Sequence, residues 1–295
     1  MEMFKGVITP VVSVFDKNEN IDEAGFRSVI THLLGHSVNG LFVAGGQGEG
    51  YSLTAEEKTR LLDVCLTEVN GRVPVLTGTG AITTRAAIEL TRHASSAGAD
   101  AAVLITPYYI APTQEELFEH YRAVLEATDI PLFIYNNPWR THINIAPETV
   151  ARLCEVSPNM CGIKDSSGDL ARTTAYKHMC PEGFRVFIGR DQLICAGLFS
   201  GLDGTVAATS NAAVDLVVGI YREYTAGNIE KAWEYQHRLT PLREFFSKGT
   251  FPVVVKEAME LQGLPSGPCR QPVSPLSEEK RHALRDVLAT AGLLD

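Results

Sequence analysis

Residues 101–137, AAVLITPYYIAPTQEELFEHYRAVLEATDIPLFIYNN, hold one full unit of the pattern that decides the fold. An apolar run, AAVLITP, leads into a segment with helical periodicity, and a second apolar run, PLFIYNN, follows it. Thr113 and Glu116 are spaced as a capping box, in which each side chain satisfies a free backbone donor at a helix start. The runs are apolar continuously rather than alternately, as expected for parallel strands covered on both faces.

The same alternation extends in both directions, from the first residues to about residue 225. GVITPVV, GLFVAGG and VPVLTGT precede the unit, and MCGIKDS, RVFIGRD and GTVAATS come after it, making eight runs. Between them, Phe26, Val29, Ile30, Leu33 and Leu34 fall on one helical face, and Thr54 with Glu57 repeats the capping box. Eight strand–helix repeats predict a (β/α)8 TIM barrel over residues 1–225. A doubly wound open sheet is the alternative, because strand order is invisible in sequence; no dinucleotide fingerprint follows any run. Residues 226–295 change character. NIEKAWEYQHRLTPLREFF and SEEKRHALRDVLATAGLL read as helices joined by GLPSGPCRQPVSPL, a C-terminal helical extension packed on the barrel as part of one structural unit.

Composition narrows the function. The chain of 295 residues carries 26 Lys and Arg against 35 Asp and Glu, a net charge of −9. Such a surface repels nucleic acid and anionic lipid, so neither is an expected partner. No apolar run approaches the roughly 20 residues that span a bilayer. MEMFKGVITPVVSVFD reads as a first strand rather than a signal peptide. The six cysteines lack CxxC pairing and read as buried thiols of a reducing compartment, with the cytoplasm the expected location. His32 and His36 have metal-ligand spacing but no evident third ligand, so no metal and no cofactor is expected.

In a barrel, chemistry sits where strands end. Those positions supply Thr9, the loop Gly45–Glu49, Thr79, Tyr108, Tyr109, Tyr135, Arg140, Lys164, Arg190, Asp191 and the region from Val206 to Asn211. Lys164 closes a buried run, where an ammonium is costly without partners. A neutral amine there can attack a carbonyl and form a Schiff base; a solvated lysine at a strand mouth is the plainer reading. Tyr135 ends the preceding run and would stand beside Lys164, either as an acid–base phenol or as a rim aromatic. Arg140 offers a planar fork for a carboxylate, or a surface ion pair. VAGGQGEGYSLT (residues 43–54) lacks a complete G-x-G-x-x-G pattern and a Walker lysine, and no G-x-S-x-G elbow occurs.

Together GGQGE, TPYY, YNNPWRT and GIKDSSGD, in this order at these strand ends, resemble the dihydrodipicolinate synthase / N-acetylneuraminate lyase family. The likeness runs over nearly the whole chain, from GVITPVV to PVVVKEAMELQGLPSGPCRQPVSPLSEE. It implies a class I lyase on a TIM barrel, a homotetramer built from tight dimers, acting on pyruvate or another 2-keto acid. By the same resemblance Lys164 forms the Schiff base and Tyr135 transfers protons. Tyr109 crosses the tight dimer into the neighbouring site, and Arg140 holds a carboxylate of the second substrate. Val206 lines the pocket, and Gly189 and Asp191 face the distal part of the substrate. The loop holding Gly46, Gln47 and Gly48 presents N–H groups to the keto acid's carboxylate; close backbone approach explains its glycines.

The loop also departs from the family. Relatives carry two hydroxyl residues where this chain has Gly46 and Gln47, and the first hydroxyl normally links the two tyrosines. Gln47 can donate to a carboxylate but is no proton shuttle. The expected function is therefore a Schiff-base lyase or aldolase on pyruvate or a 2-keto-3-deoxy acid. An authentic 4-hydroxy-tetrahydrodipicolinate synthase, joining pyruvate and aspartate semialdehyde, is one alternative, and a catalytically weak keto-acid-binding relative is another.

Overall fold

Each of the eight apolar runs forms a parallel strand in the computed structural model, which describes residues 3–294. They are β1 (Gly6–Pro10), β2 (Gly40–Val43), β3 (Val75–Gly78), β4 (Ala101–Ile105), β5 (Leu132–Asn136), β6 (Met160–Asp165), β7 (Arg185–Ile188) and β8 (Gly204–Val206). Neighbours pair in sequence order and the ring closes, with Val7 opposite Thr205 and Ile8 opposite Val206. That closure rules out the open doubly wound sheet.

The barrel helices are α1 (Glu23–Gly35), α2 (Ala55–Val69), α3 (Thr84–Ala97), α4 (Gln114–Ala127), the single turn α5 (Pro138–Thr141), α6 (Pro147–Val156), α7 (Leu170–Met179), α8 (Ile194–Phe199) and α9 (Val214–Thr225). Both capping boxes form: Thr54 and Glu57 close the start of α2, and Thr113 and Glu116 that of α4. The large core lies between strands and helices. A smaller one fills the barrel, where Ile8, Phe42, Leu76, Val103, Phe133 and Phe187 pack together. This inner plug leaves only the C-terminal strand ends open for chemistry.

Beyond residue 225 the extension holds α10 (Ile229–Phe245), α11 (Val253–Leu261) and α12 (Glu278–Thr290). The sequence pattern foretold the first and last of these. It missed α11 because VVVKEAMEL opens on three β-branched residues, which are weak helix formers. Burial overrides that preference: every residue from Val253 to Met259 is buried. All six cysteines are free thiols, five of them buried. Among the described residues no helix is long and apolar enough to cross a membrane.

Candidate active site

Tyr135 and Lys164 are paired residues of adjacent strands. Side chains alternate along a strand, so Lys164 turns into the barrel while Asp165 turns out. There Asp165 accepts hydrogen bonds from Asn136 Nδ2 (2.7 Å) and Ser167 Oγ (2.6 Å), which anchor the end of β6. Lys164 is 7% exposed. Its Nζ lies 4.0 Å from the centroid of the Tyr135 ring and 5.5 Å from that of Phe42. No carboxylate pairs with it among the described residues. Gly189 makes room for it: a Cβ at that position would lie 3.1 Å from Lys164 Cε and 2.1 Å from Ser166 Oγ. The Tyr135 hydroxyl oxygen accepts from Asn137 Nδ2 at 2.8 Å, which leaves its own O–H free to donate.

The loop after β2 forms the floor. Ala44 and Glu49 both have φ of 52°, a region that costs side-chain-bearing residues energy and gathers at functional sites. Gly48 is packed shut, since a Cβ would meet Val11 O at 2.7 Å, and its carbonyl accepts from Ser13 Oγ at 2.6 Å. Gly46 is different. A Cβ there would meet only the Phe251 ring, at 3.8 Å, an ordinary contact distance. Gln47 is 2% exposed, and neither of its amide atoms has a protein partner.

Glu49 fixes this loop from behind. Its carboxylate pairs with Lys256 Nζ at 2.7 Å and accepts from Arg270 N at 3.0 Å. Lys256 and Glu49 are 2% and 0% exposed at their side chains. Burial pulls the Lys256 pKa below the usual lysine range, and Glu49 opposes that pull. Lys256 also donates to Pro268 O and lies over the Phe15 ring.

A cavity of about 1000 Å³ opens over these groups. Of the sequence candidates, Gly46, Gln47, Tyr108, Tyr135, Arg140, Lys164, Gly189, Arg190, Asp191 and Val206 line it. Gly48 does not, and its place in the loop is structural packing. Asp191 is buried, and its Oδ2 accepts from the Thr209 backbone and hydroxyl at 2.8 and 2.7 Å. Thr9 and Thr79 are bonded behind the strands, to Ser210 and Thr91. Tyr109 does not line its own chain's cavity and is 95% exposed, with φ of 74°. Sequence reasoning missed Asn137, Phe251 and Arg243, all on the cavity wall. Asn137 stands in a quoted motif. Arg243 and Phe251 come from the extension, where nothing local marks them.

A profile of the Dihydrodipicolinate synthetase family matches residues 3–291. The chain belongs to this family. A 4-hydroxy-tetrahydrodipicolinate synthase of Nitratidesulfovibrio vulgaris is 38% identical over 291 residues, 99% of each chain. The dihydrodipicolinate synthase of Thermotoga maritima superimposes with a TM-score of 0.95 at 35% identity, covering 99% of this chain and 100% of that one. YagE, a prophage protein of E. coli K12 from the same family solved with pyruvate, gives 0.94 at 32% identity over 98% and 99%. As a dihydrodipicolinate synthetase family member the protein is an enzyme, a class I lyase/aldolase of the Schiff-base type.

Proposed function

We propose that Lys164 forms a Schiff base with pyruvate or a 2-keto-3-deoxy acid, and that the enzyme condenses, cleaves or dehydrates such an acid. The observation that carries this reading is the isolation of Lys164: a buried strand-end amine with no carboxylate partner, set against a phenol. The neutral amine attacks C2 of the keto acid. Tyr135 gives its proton to the departing oxygen, which leaves as water, and a phenolate so formed can take the proton lost from C3. The resulting enamine attacks an aldehyde carbon; run backwards, the sequence cleaves the bond.

Gln47 would hold the keto acid's carboxylate. A buried amide without a partner costs on the order of 1–3 kcal/mol, and a bound carboxylate satisfies its donor half. Tyr109 would act in a second copy of the chain, as its exposure suits, so the working unit is a homo-oligomer, with a tetramer of paired dimers as the expected assembly. YagE's complex with pyruvate supports the substrate class.

Incubation with pyruvate, borohydride reduction and peptide mapping test the reading. An adduct on Lys164, lost in Lys164→Arg, is expected; an adduct on another lysine overturns it. A second reading, authentic 4-hydroxy-tetrahydrodipicolinate synthase, draws on the names of the relatives and on Arg140 at the cavity wall. Coupled turnover with pyruvate and aspartate semialdehyde separates the two. Product marks the synthase, whereas an imine without product marks the keto-3-deoxy-acid branch.

A further inference from the structure

The cavity is cationic in an acidic protein. Lys58, Arg140, Lys164, Arg190 and Arg243 line it, opposed only by Asp191 and Glu244, while the whole chain carries −9. Asp191 commits one oxygen to Thr209, and Glu244 is exposed. The guanidiniums of Arg140, Arg190 and Arg243 have no ion-pair or hydrogen-bond partner among the described residues. Many arginines elsewhere do: Arg270 pairs with Glu57, Arg152 with Glu115 and Arg185 with Asp203.

Each unpaired guanidinium instead lies over an aromatic ring. Arg140 is 4.9 Å from the Phe251 centroid, Arg190 5.2 Å from that of Trp139, and Arg243 4.8 Å from that of Phe246. Stacking uses the face of a guanidinium and leaves its N–H edge free for an anion. The three also feel one another. Burial lowers the Arg190 pKa first and Arg243 lowers it further; Asp191 and Tyr135 oppose them, and Arg140 adds a smaller push downward. Such a cluster is unfavourable when empty, and an anion relieves it.

We propose that Arg190 and Arg243, with Arg140 beside them, form a second anion site, and that the substrate's distal end is a phosphate or carboxylate on a carbon skeleton without an amino group. This rests on the Schiff-base reading, which places the keto acid's own carboxylate at the loop after β2. The site joins the ends of β5 and β7 to α10, so the extension completes the specificity of the barrel. An ammonium beside the distal group would face three guanidiniums, which selects against amino-aldehydes.

The test compares six-carbon 2-keto-3-deoxy acids ending in CH2OH, in carboxylate or in CH2–phosphate, using the full chain. Binding is followed by calorimetry, and imine formation by borohydride trapping at Lys164. Half-saturation for at least one anionic-ended acid should be about tenfold or more below that of the neutral one, as charge-assisted hydrogen bonds imply. The better anionic acid identifies the distal group. In Arg190→Gln and Arg243→Gln, checked for cooperative melting, the ratio of anionic to neutral half-saturation should fall towards one. Equal affinities in the unaltered protein overturn the proposal, as does a preference that survives both substitutions. Absence of any Lys164 adduct sinks the Schiff-base reading alone, because calorimetry still measures the preference.

Discussion

Two glycines of the loop after β2, Gly46 and Gly48, exist for different reasons. Gly48 has a backbone carbonyl 2.7 Å from where its Cβ would be, so Gly48→Ser must move the chain. Overpacking of that kind costs about 1–3 kcal/mol, read as a lower melting temperature. Gly46 has open space and needs no left-handed backbone, so Gly46→Ser should melt as the parent does. It also places a hydroxyl on the wall of the cavity that Lys164 and Tyr135 line. Deuterium exchange into the pyruvate methyl group reports enamine formation without an aldehyde, and Gly46→Ser should speed it by about tenfold or more. Unchanged exchange would mean that proton transfer already runs by another route. Lys164 and Tyr135 were legible in sequence because a polar residue ending an apolar run is conspicuous. The freedom at Gly46 was not: a steric vacancy depends on Phe251, far along the chain.

At the level of elements, strand ends and helix caps were readable because both rest on local spacing. α11 was not, since tertiary burial outweighs its β-branched start. Helix α4 carries a further consequence in His120, buried with Nδ1 2.9 Å from Thr84 Oγ1 and Nε2 without a partner. Burial lowers its pKa, so the folded chain keeps the ring neutral. The unfolded chain protonates near the ordinary value of about 6.5. Below that pH the unfolded state binds the extra proton, and stability falls as pH falls until the folded ring also titrates. Melting temperature should therefore drop between pH 7 and 5, and less steeply in His120→Gln. His32 shifts in the same direction, chiefly by burial, and accounts for part of the slope that remains. An identical slope in the variant would remove His120 from the explanation.

Across the whole molecule, the eightfold repeat was written in the sequence, but the contribution of the extension to the cavity was not. Arg243 and Phe251 reach the site only because α10 and α11 fold over it. Glu49 and Lys256 show how firmly the two are joined. Removing one partner of a buried pair strands a charge and typically costs 3–5 kcal/mol. Glu49→Gln should lower the melting temperature sharply and weaken keto-acid binding, while Glu49→Gln with Lys256→Met should recover much of the stability. A double variant no more stable than the single would show that the pair itself, rather than the stranded ammonium, sets the cost. The same pair bears on how the enzyme is born. A ribosome has made every barrel strand by residue 206, yet the loop's partners at 256 and 270 are still unmade. Translation thus delivers the scaffold first and the anchor of the keto-acid floor almost last, so that a message cut short yields a barrel whose floor keeps its Ser13 bond but lacks the partners of Glu49.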